Sequence, residues 1–316
     1  MTIATKRRET KQLMTDKTPL FLLGTGRSGT TLIQRFINAH SDAIIWGEHI
    51  GFLESMADAY FLLKEHPSMH EYAYKNRASE EELDLYAFYK NPQLWQAWMN
   101  WFKPEDVDCF FRQFLEDMLC PKSVGTFQVW GFKEIRYGEN TKVIDFLQAL
   151  YPKAVFLCVV RESLNVIESQ LTTFHQGASK YKKIKRLIQI PKLINIAIKW
   201  KKMNRAYELL SQHRENVILL KYEHFVENYL VIVPVMEKLG LDIQQAQIDV
   251  LKLQEGRGSS FSPSSNANKR WKKIGFLPAF IAEAITGGTA NSLGYPRPSS
   301  LKLATYLSRK ILQIVK

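Results

Sequence analysis

Apolar positions in this chain alternate between short continuous runs and a helical recurrence. The run Pro19-Leu-Phe-Leu-Leu23 ends at Gly24, and after a loop of small residues Leu32, Ile33, Phe36 and Ile37 recur at helical spacing. This predicts a strand over about 20–24 and a helix over about 29–39. Ala43-Ile-Ile-Trp46 predicts a second strand, which runs into Gly47-Glu48-His49. Residues 50–120 read as several helices rich in aromatics. Further strands are predicted at 128–132, 154–160 and 217–220, and helices at 140–150, from Leu164, over 188–213 and over 231–239. A Gly/Ser-rich loop covers 256–268. Strands alternating with helices imply an α/β fold, a parallel sheet flanked by helices, with ligands at the carboxyl ends of the strands. The expected organisation is a flexible basic N-terminus (1–18), one domain over 19–298 with a helical insertion at about 50–125, and a basic amphipathic helix at 299–316.

Composition narrows the partners. The 316 residues are 46% hydrophobic, which suits a soluble globular protein, and the net charge of +12 favours anionic partners. Residues 169–207 hold no carboxylate between Ser169 and Tyr207, and carry Lys180, Lys182, Lys183, Lys185, Arg186, Lys199, Lys201 and Lys202. A solvated basic face is the plain reading. An acidic acceptor such as a glycan, or a peripheral contact with an anionic membrane, is the alternative. No run reaches the ~20 apolar residues of a membrane span, and the run at 19–23 is too short for a signal sequence. Cys109, Cys120 and Cys158 have no metal or redox spacing, so the expected location is cytoplasmic with reduced thiols. No His/Cys/Asp cluster suggests a metal.

The first loop carries the chemistry. Gly24-Thr-Gly-Arg-Ser-Gly-Thr-Thr31 joins a strand to a helix, so its backbone N–H groups and the helix N-terminus can cradle a phosphate. The lysine that a P-loop nucleotidase places just before the hydroxyl residue is absent; the cation is Arg27, three positions before Thr30. The loop should hold a phosphate while passing on something other than an ATP γ-phosphate. A second anion grip is expected where strand 154–160 ends in Arg161. Ser169 lies eight positions on, a little over two helical turns, so both side chains can reach the crevice beside the loop.

Gly26-Arg-Ser-Gly-Thr-Thr31 and Val159-Val-Arg161 through Ser169 together resemble the two phosphate motifs of sulfotransferases that use 3′-phosphoadenosine 5′-phosphosulfate (PAPS). The resemblance runs from about residue 20 to 275 and implies the P-loop nucleotide-hydrolase-like fold of that family. It implies that Gly26, Arg27, Ser28, Gly29, Thr30 and Thr31 hold the 5′-phosphosulfate, with Arg27 also serving the transfer. Arg161 and Ser169 would hold the 3′-phosphate. Asn38 to Glu48 resembles the tyrosylprotein and Golgi-type branch, which implies Glu48 as base. Trp130-Gly-Phe-Lys133-Glu-Ile-Arg136 implies Lys133 as the catalytic lysine. The cytosolic steroid and phenol branch has a basic histidine two residues past that lysine; Ile135 stands here instead. Gly256 to Ser260 and Lys269-Arg-Trp-Lys272 loosely resemble the family's last motif. This would bring Ser259, Ser260, Lys269 and Arg270 to the donor.

The resemblance thus implies a PAPS-dependent sulfotransferase with a small-molecule or glycan acceptor, no metal, no nucleic-acid partner, and PAP as product. A kinase or nucleotidase, and a non-catalytic PAP-binding module, are the other readings. Trp95, Trp98, Trp101 and Phe102 at helical spacing read as core of the insertion. His40 and His49 read as structural, with His49 near enough to tune Glu48. Arg136 is expected on the far side of Lys133, with contact to the acceptor and no such contact equally open.

Overall fold

The structure is a computed structural model that describes residues 17–71, 106–119, 127–173, 190–252, 255–256, 259–260 and 276–295. Contacts divide it into two compact units, one of residues 1–50, 126–139 and 154–316, the other of 51–125 and 140–153.

The first unit is built on a five-stranded parallel sheet: β1 (Thr18–Gly24), β2 (Ala43–Trp46), β3 (Val129–Glu134), β4 (Val155–Val160) and β5 (Val217–Lys221), in the order β2-β3-β1-β4-β5. The central strands are buried on both faces, which is why β1 and β4 read as unbroken apolar runs. Leu20, Leu22, Val155, Leu157 and Val159 point to one face. They pack with Ile33, Phe36 and Ile37 of helix α1 (Thr30–Asn38) and with Phe225, Val235 and Met236. The alternate residues form the other face, where the Phe21 ring meets Trp130, Phe132 and Phe156. At the β4 end that face continues as Val160, Val166, Trp200, Ala290 and Leu293.

Sheet order explains one glycine. Leu20 of β1 is in register with Gly131 of β3, and a Cβ on Gly131 would lie 1.8 Å from the Leu20 carbonyl oxygen. The two backbones can approach only because nothing stands there. Gly131→Ala is expected to cost ~2–3 kcal/mol as an overpacked core position, seen as a lower urea midpoint; an unchanged midpoint would contradict this register.

The second unit holds α2 (Leu53–Glu65), α3 (Pro67–Glu71), α4 (Asp106–Leu119) and α5 (Lys142–Leu150). Its core gathers the Tyr60 ring against Phe111 and Phe146. The Tyr60 hydroxyl donates to Asp108 at 2.8 Å, and Arg112 Nε donates to the Leu150 carbonyl at 3.1 Å. Trp95, Trp98, Trp101 and Phe102 lie outside the described residues.

The remaining helices of the first unit are α6 (Ser163–Thr173), α7 (Ile190–His213), α8 (Tyr222–Glu227), α9 (Val233–Lys238), α10 (Gln245–Lys252) and α11 (Phe276–Ser292). The predicted helix over 231–239 is a 3-10 turn at Tyr229–Ile232 followed by α9, since Pro234 sits in the first turn of α9 and has no N–H to give to a continuous helix. At the start of the predicted loop, Glu255–Gly256 (β6) and Ser259–Ser260 (β7) pair antiparallel. Segments 1–16 and 296–316, and with them the tail helix at 299–316, lie outside the described residues. No described helix is long and apolar enough to cross a membrane.

Candidate active site

Parallel strands place their carboxyl ends on one edge of the sheet, and β1 lies between β3 and β4 in this one. The loop after β1 is therefore flanked by the carboxyl end of β3, with Lys133, and the run beyond β4, with Arg161. This is the crevice at which such sheets bind ligands.

The loop has the backbone that its sequence calls for. Gly29 is left-handed, at φ 96°, and ends the loop as α1 begins. A Cβ there would also strike the Tyr222 ring at 2.1 Å. Arg27 is left-handed as well, at φ 70°, an uncommon state for a residue with a side chain. Its side chain fixes it, because Arg27 Nε donates to Ser169 Oγ at 3.0 Å. The Thr25 and Ser28 hydroxyls are buried without a hydrogen-bond partner among the described residues. Thr30 is buried and Thr31 half-buried at the start of α1.

The β4 side braces the loop. Arg161 Nη1 donates to the Arg27 carbonyl at 3.0 Å, and the Arg161 guanidinium lies 4.4 Å from the centre of the Tyr222 ring. The Arg161 carbonyl in turn accepts from Trp200 Nε1 of α7 at 3.0 Å. Ser169 stands two turns into α6, so Arg27, Arg161 and Ser169 form one cluster, and Gln170 joins it by donating to the Gly26 carbonyl at 2.7 Å. The Glu162 carboxylate caps α6 by accepting from Leu164 N and Asn165 N. Burial pushes that carboxyl up to about 7, against those two hydrogen bonds.

The β3 side holds the titratable pair. Lys133, buried at the end of β3, donates to Glu48 Oε1 at 2.7 Å. Arg136 Nη1 lies 3.3 Å from Glu48 Oε2 and 2.5 Å from Glu134 Oε1. Arg136 therefore faces the same carboxylate as Lys133 and is not on its far side. Glu134 also accepts from the N–H of His49. Burial alone would raise the Glu134 carboxyl, but the N–H groups of Ile135 and His49 and the Arg136 guanidinium outweigh it and hold it below the usual carboxylate range. His49 Nε2 shares a 2.7 Å hydrogen bond with the Tyr137 hydroxyl. Burial holds the His49 imidazole below its ordinary value, against the pull of Glu134.

The strand that leads to Glu48 is anchored from α1. Gln34 donates to the carbonyls of Ile45 and Trp46, and Asn38 both donates to and accepts from Ile45. Sequence reasoning gave no role to Gln34, Asn38, Gln170, Tyr222 or Glu134. The signals were there: two amides one helical turn apart before an edge strand, a polar neighbour of Ser169, and a carboxylate inside an apolar strand. Ser259 and Ser260 are described in their backbone pairing alone, and Lys269 and Arg270 lie outside the described residues. Lys199, Lys201 and Lys202 of the basic stretch are exposed on α7, and Lys202 lies 3.8 Å from Glu139. The other residues of that stretch, Lys180 to Arg186, lie outside the described residues.

A parallel sheet with a small-residue loop after its central strand, and cations at the carboxyl ends of both neighbouring strands, defines a P-loop-like α/β protein. A family model described as the sulfotransferase family matches residues 19–244, and the chain belongs to that family. Among solved structures it is similar to the sulfotransferase domain of an olefin synthase from Synechococcus PCC 7002, with 16% identity over 90% of this chain and 97% of that one, TM-score 0.50. It is also similar to the sulfotransferase domain of the curacin biosynthetic pathway, with 17% identity over 89% and 99% of the two chains, TM-score 0.49. A sulfotransferase from Alicyclobacillus acidocaldarius follows at 15% identity over 90% and 99%, TM-score 0.42. No curated protein matches the sequence.

Proposed function

We propose that the protein transfers the sulfuryl group of PAPS to an acceptor hydroxyl, with Glu48 as base and Lys133 at the leaving phosphate. The observation that carries this reading is the contact of Lys133 Nζ with Glu48 Oε1 at 2.7 Å, beside the strand that ends in the phosphate loop. A base for the attacking hydroxyl and a cation for the leaving oxygen are what assist an in-line displacement.

The residues present suit the donor. Thr25 and Ser28 carry buried hydroxyls with no partner among the described residues, and Arg27, Arg161 and Ser169 concentrate donors at the end of β4. Loop N–H groups, Arg27, Thr30 and Thr31 hold the 5′-phosphate and sulfuryl oxygens, while Arg161 and Ser169 hold the 3′-phosphate. Ser259 or Ser260 adds a hydroxyl toward the sulfuryl group, and Lys269 and Arg270 cover the 3′-phosphate. In the reaction a bond forms between the acceptor oxygen and sulfur as the bond from sulfur to the bridging phosphate oxygen breaks. The acceptor proton passes to the Glu48 carboxylate. The charge that develops on the leaving oxygen is met by the Lys133 ammonium, and PAP departs.

The proposed acceptor is a carbohydrate hydroxyl, supported by the Golgi-type segment that ends in Glu48 and by the net charge of +12. A cytoplasmic location, with or without peripheral membrane contact, belongs to the same proposal. Incubating the protein with sulfur-35 PAPS and a panel of glycans, lipid alcohols and tyrosine peptides tests it; label appearing on peptides alone would overturn the carbohydrate assignment. Arg161→Ala is expected to weaken PAP binding by at least ~10-fold, as one charged grip is lost, and adenosine 5′-phosphosulfate binding clearly less, through the lost hydrogen bond to the Arg27 carbonyl alone. Equal weakening of both ligands in calorimetry would move Arg161 away from the 3′-phosphate.

A further inference from the structure

Glu134 is fully buried, and no step above uses it. An ionised carboxylate in such a place is costly unless its oxygens are satisfied. Oε1 accepts from Ile135 N at 2.8 Å and from Arg136 Nη1 at 2.5 Å, and Oε2 accepts from His49 N at 3.1 Å. These partners stand on two separate pieces of chain. Ile135 and Arg136 lie just beyond β3; His49 directly follows Glu48.

The backbone ladder explains why such a link is needed. The last paired residues of β2 and β3 are Trp46 and Phe132. Pairing thus stops two residues before Glu48 and one before Lys133. Past His49 the chain turns away through Ile50 and Gly51, both left-handed at φ 66° and 78°. The β-branched Ile50 pays for that turn in strain. Nothing in the sheet itself fixes Glu48 against Lys133. We infer that Glu134 is the positioning residue of this site: its carboxylate replaces the missing rung and sets Glu48 beside Lys133. It acts on the backbone through the His49 N–H and on the side chain through Arg136, whose Nη1 lies near both carboxylates. The inference rests on the roles proposed for Glu48 and Lys133.

An amide cannot substitute. If the NH₂ of a glutamine takes the place of Oε2, it faces the His49 N–H; in place of Oε1, it faces Ile135 N–H and Arg136. Either way one arm of the link opens and Arg136 loses its buried counter-charge.

The test uses the full chain with four proteins: wild type, Glu134→Gln, Glu48→Gln and the double variant. Readouts are PAP affinity, amide exchange at His49, and release of inorganic sulfate from sulfur-35 PAPS with water as acceptor. Expected for Glu134→Gln are PAP affinity within ~3-fold of wild type, His49 exchange at least ~10-fold faster, and sulfate release lowered ~10–100-fold. Adding Glu134→Gln to Glu48→Gln should change release less than ~2-fold, since the effect passes through Glu48. An equal fold loss in both backgrounds would reduce Glu134 to a packing role and overturn the inference. If Glu134→Gln does not fold, the half-exposed Arg136→Gln is compared in both backgrounds in its place, and a loss independent of Glu48 overturns the inference in the same way. A folded wild type that binds no PAP overturns the sulfuryl-transfer reading, whereas His49 exchange unchanged by Glu134→Gln overturns the positioning role whatever the reaction.

Discussion

Glu48→Gln is expected to lower turnover by ~10²–10⁴, the usual worth of a positioned general base, while PAP binding and folding persist. The geometry supports that separation. Glu48 follows the short edge strand β2, and its side chain is about a third exposed. Its ion pairs with Lys133 and Arg136 therefore add little to stability. Glutamine keeps one oxygen for Lys133 at nearly the same place but cannot take a proton from an acceptor hydroxyl. The measurement is single-turnover transfer at saturating PAPS, with PAP affinity in parallel. Transfer near the wild-type rate would mean that the base lies elsewhere.

Lys133→Ala is expected to cost ~10²–10³ in kcat, the effect of removing one preorganised charge from the place where negative charge develops. Lys133 is 7% exposed, so its stem packs within the sheet while Nζ reaches Glu48. Lys133→Met keeps most of that stem and serves as the control for packing. If both variants lose kcat and keep donor affinity, the ammonium acts in the transition state. If donor affinity collapses while kcat at saturation holds, Lys133 binds PAPS in the ground state and does not assist departure of the phosphate.

The elements that position the site were clear in the sequence because they are the ones with the strongest physical signature. β1 and β4 are apolar on both faces, as a central parallel strand must be, and Gly24 to Thr31 carries the small residues of a phosphate loop. Strand 43–46 matched at both ends. Lys133 proved to lie on β3, which runs two residues beyond its expected end because Lys133 and Glu134, though charged, are buried in the ladder. Polar residues at a strand end lower the apolar signal at the point where function sits. Helix α11 gave little signal for a different reason. Its buried positions include the small side chains of Ala279, Ala282 and Ala290, and it contains Gly287 and Gly288, which read as loop.

The polar scaffold was harder to see. Ser169 and Arg161 announce themselves by spacing, but their contacts with Arg27 depend on β1 and β4 being neighbours. The same is true of Tyr222, which follows β5 yet packs against Gly29 and Arg161. Such pairings arise from strand order, which periodicity along one chain does not encode. Glu134 illustrates the limit from the other side: Arg136 was expected on the far side of Lys133, whereas its Nη1 lies near the carboxylates of both Glu134 and Glu48.

Calorimetric titration of the full chain with PAP, with AMP and ATP as controls, is the direct test of the two-phosphate site. Tight PAP binding with little affinity for AMP or ATP is expected, since both controls lack the 3′-phosphate proposed to lie on Arg161 and Ser169. A demonstrably folded protein that binds no PAP would contradict the assignment of both grips, and with it sulfuryl transfer from PAPS.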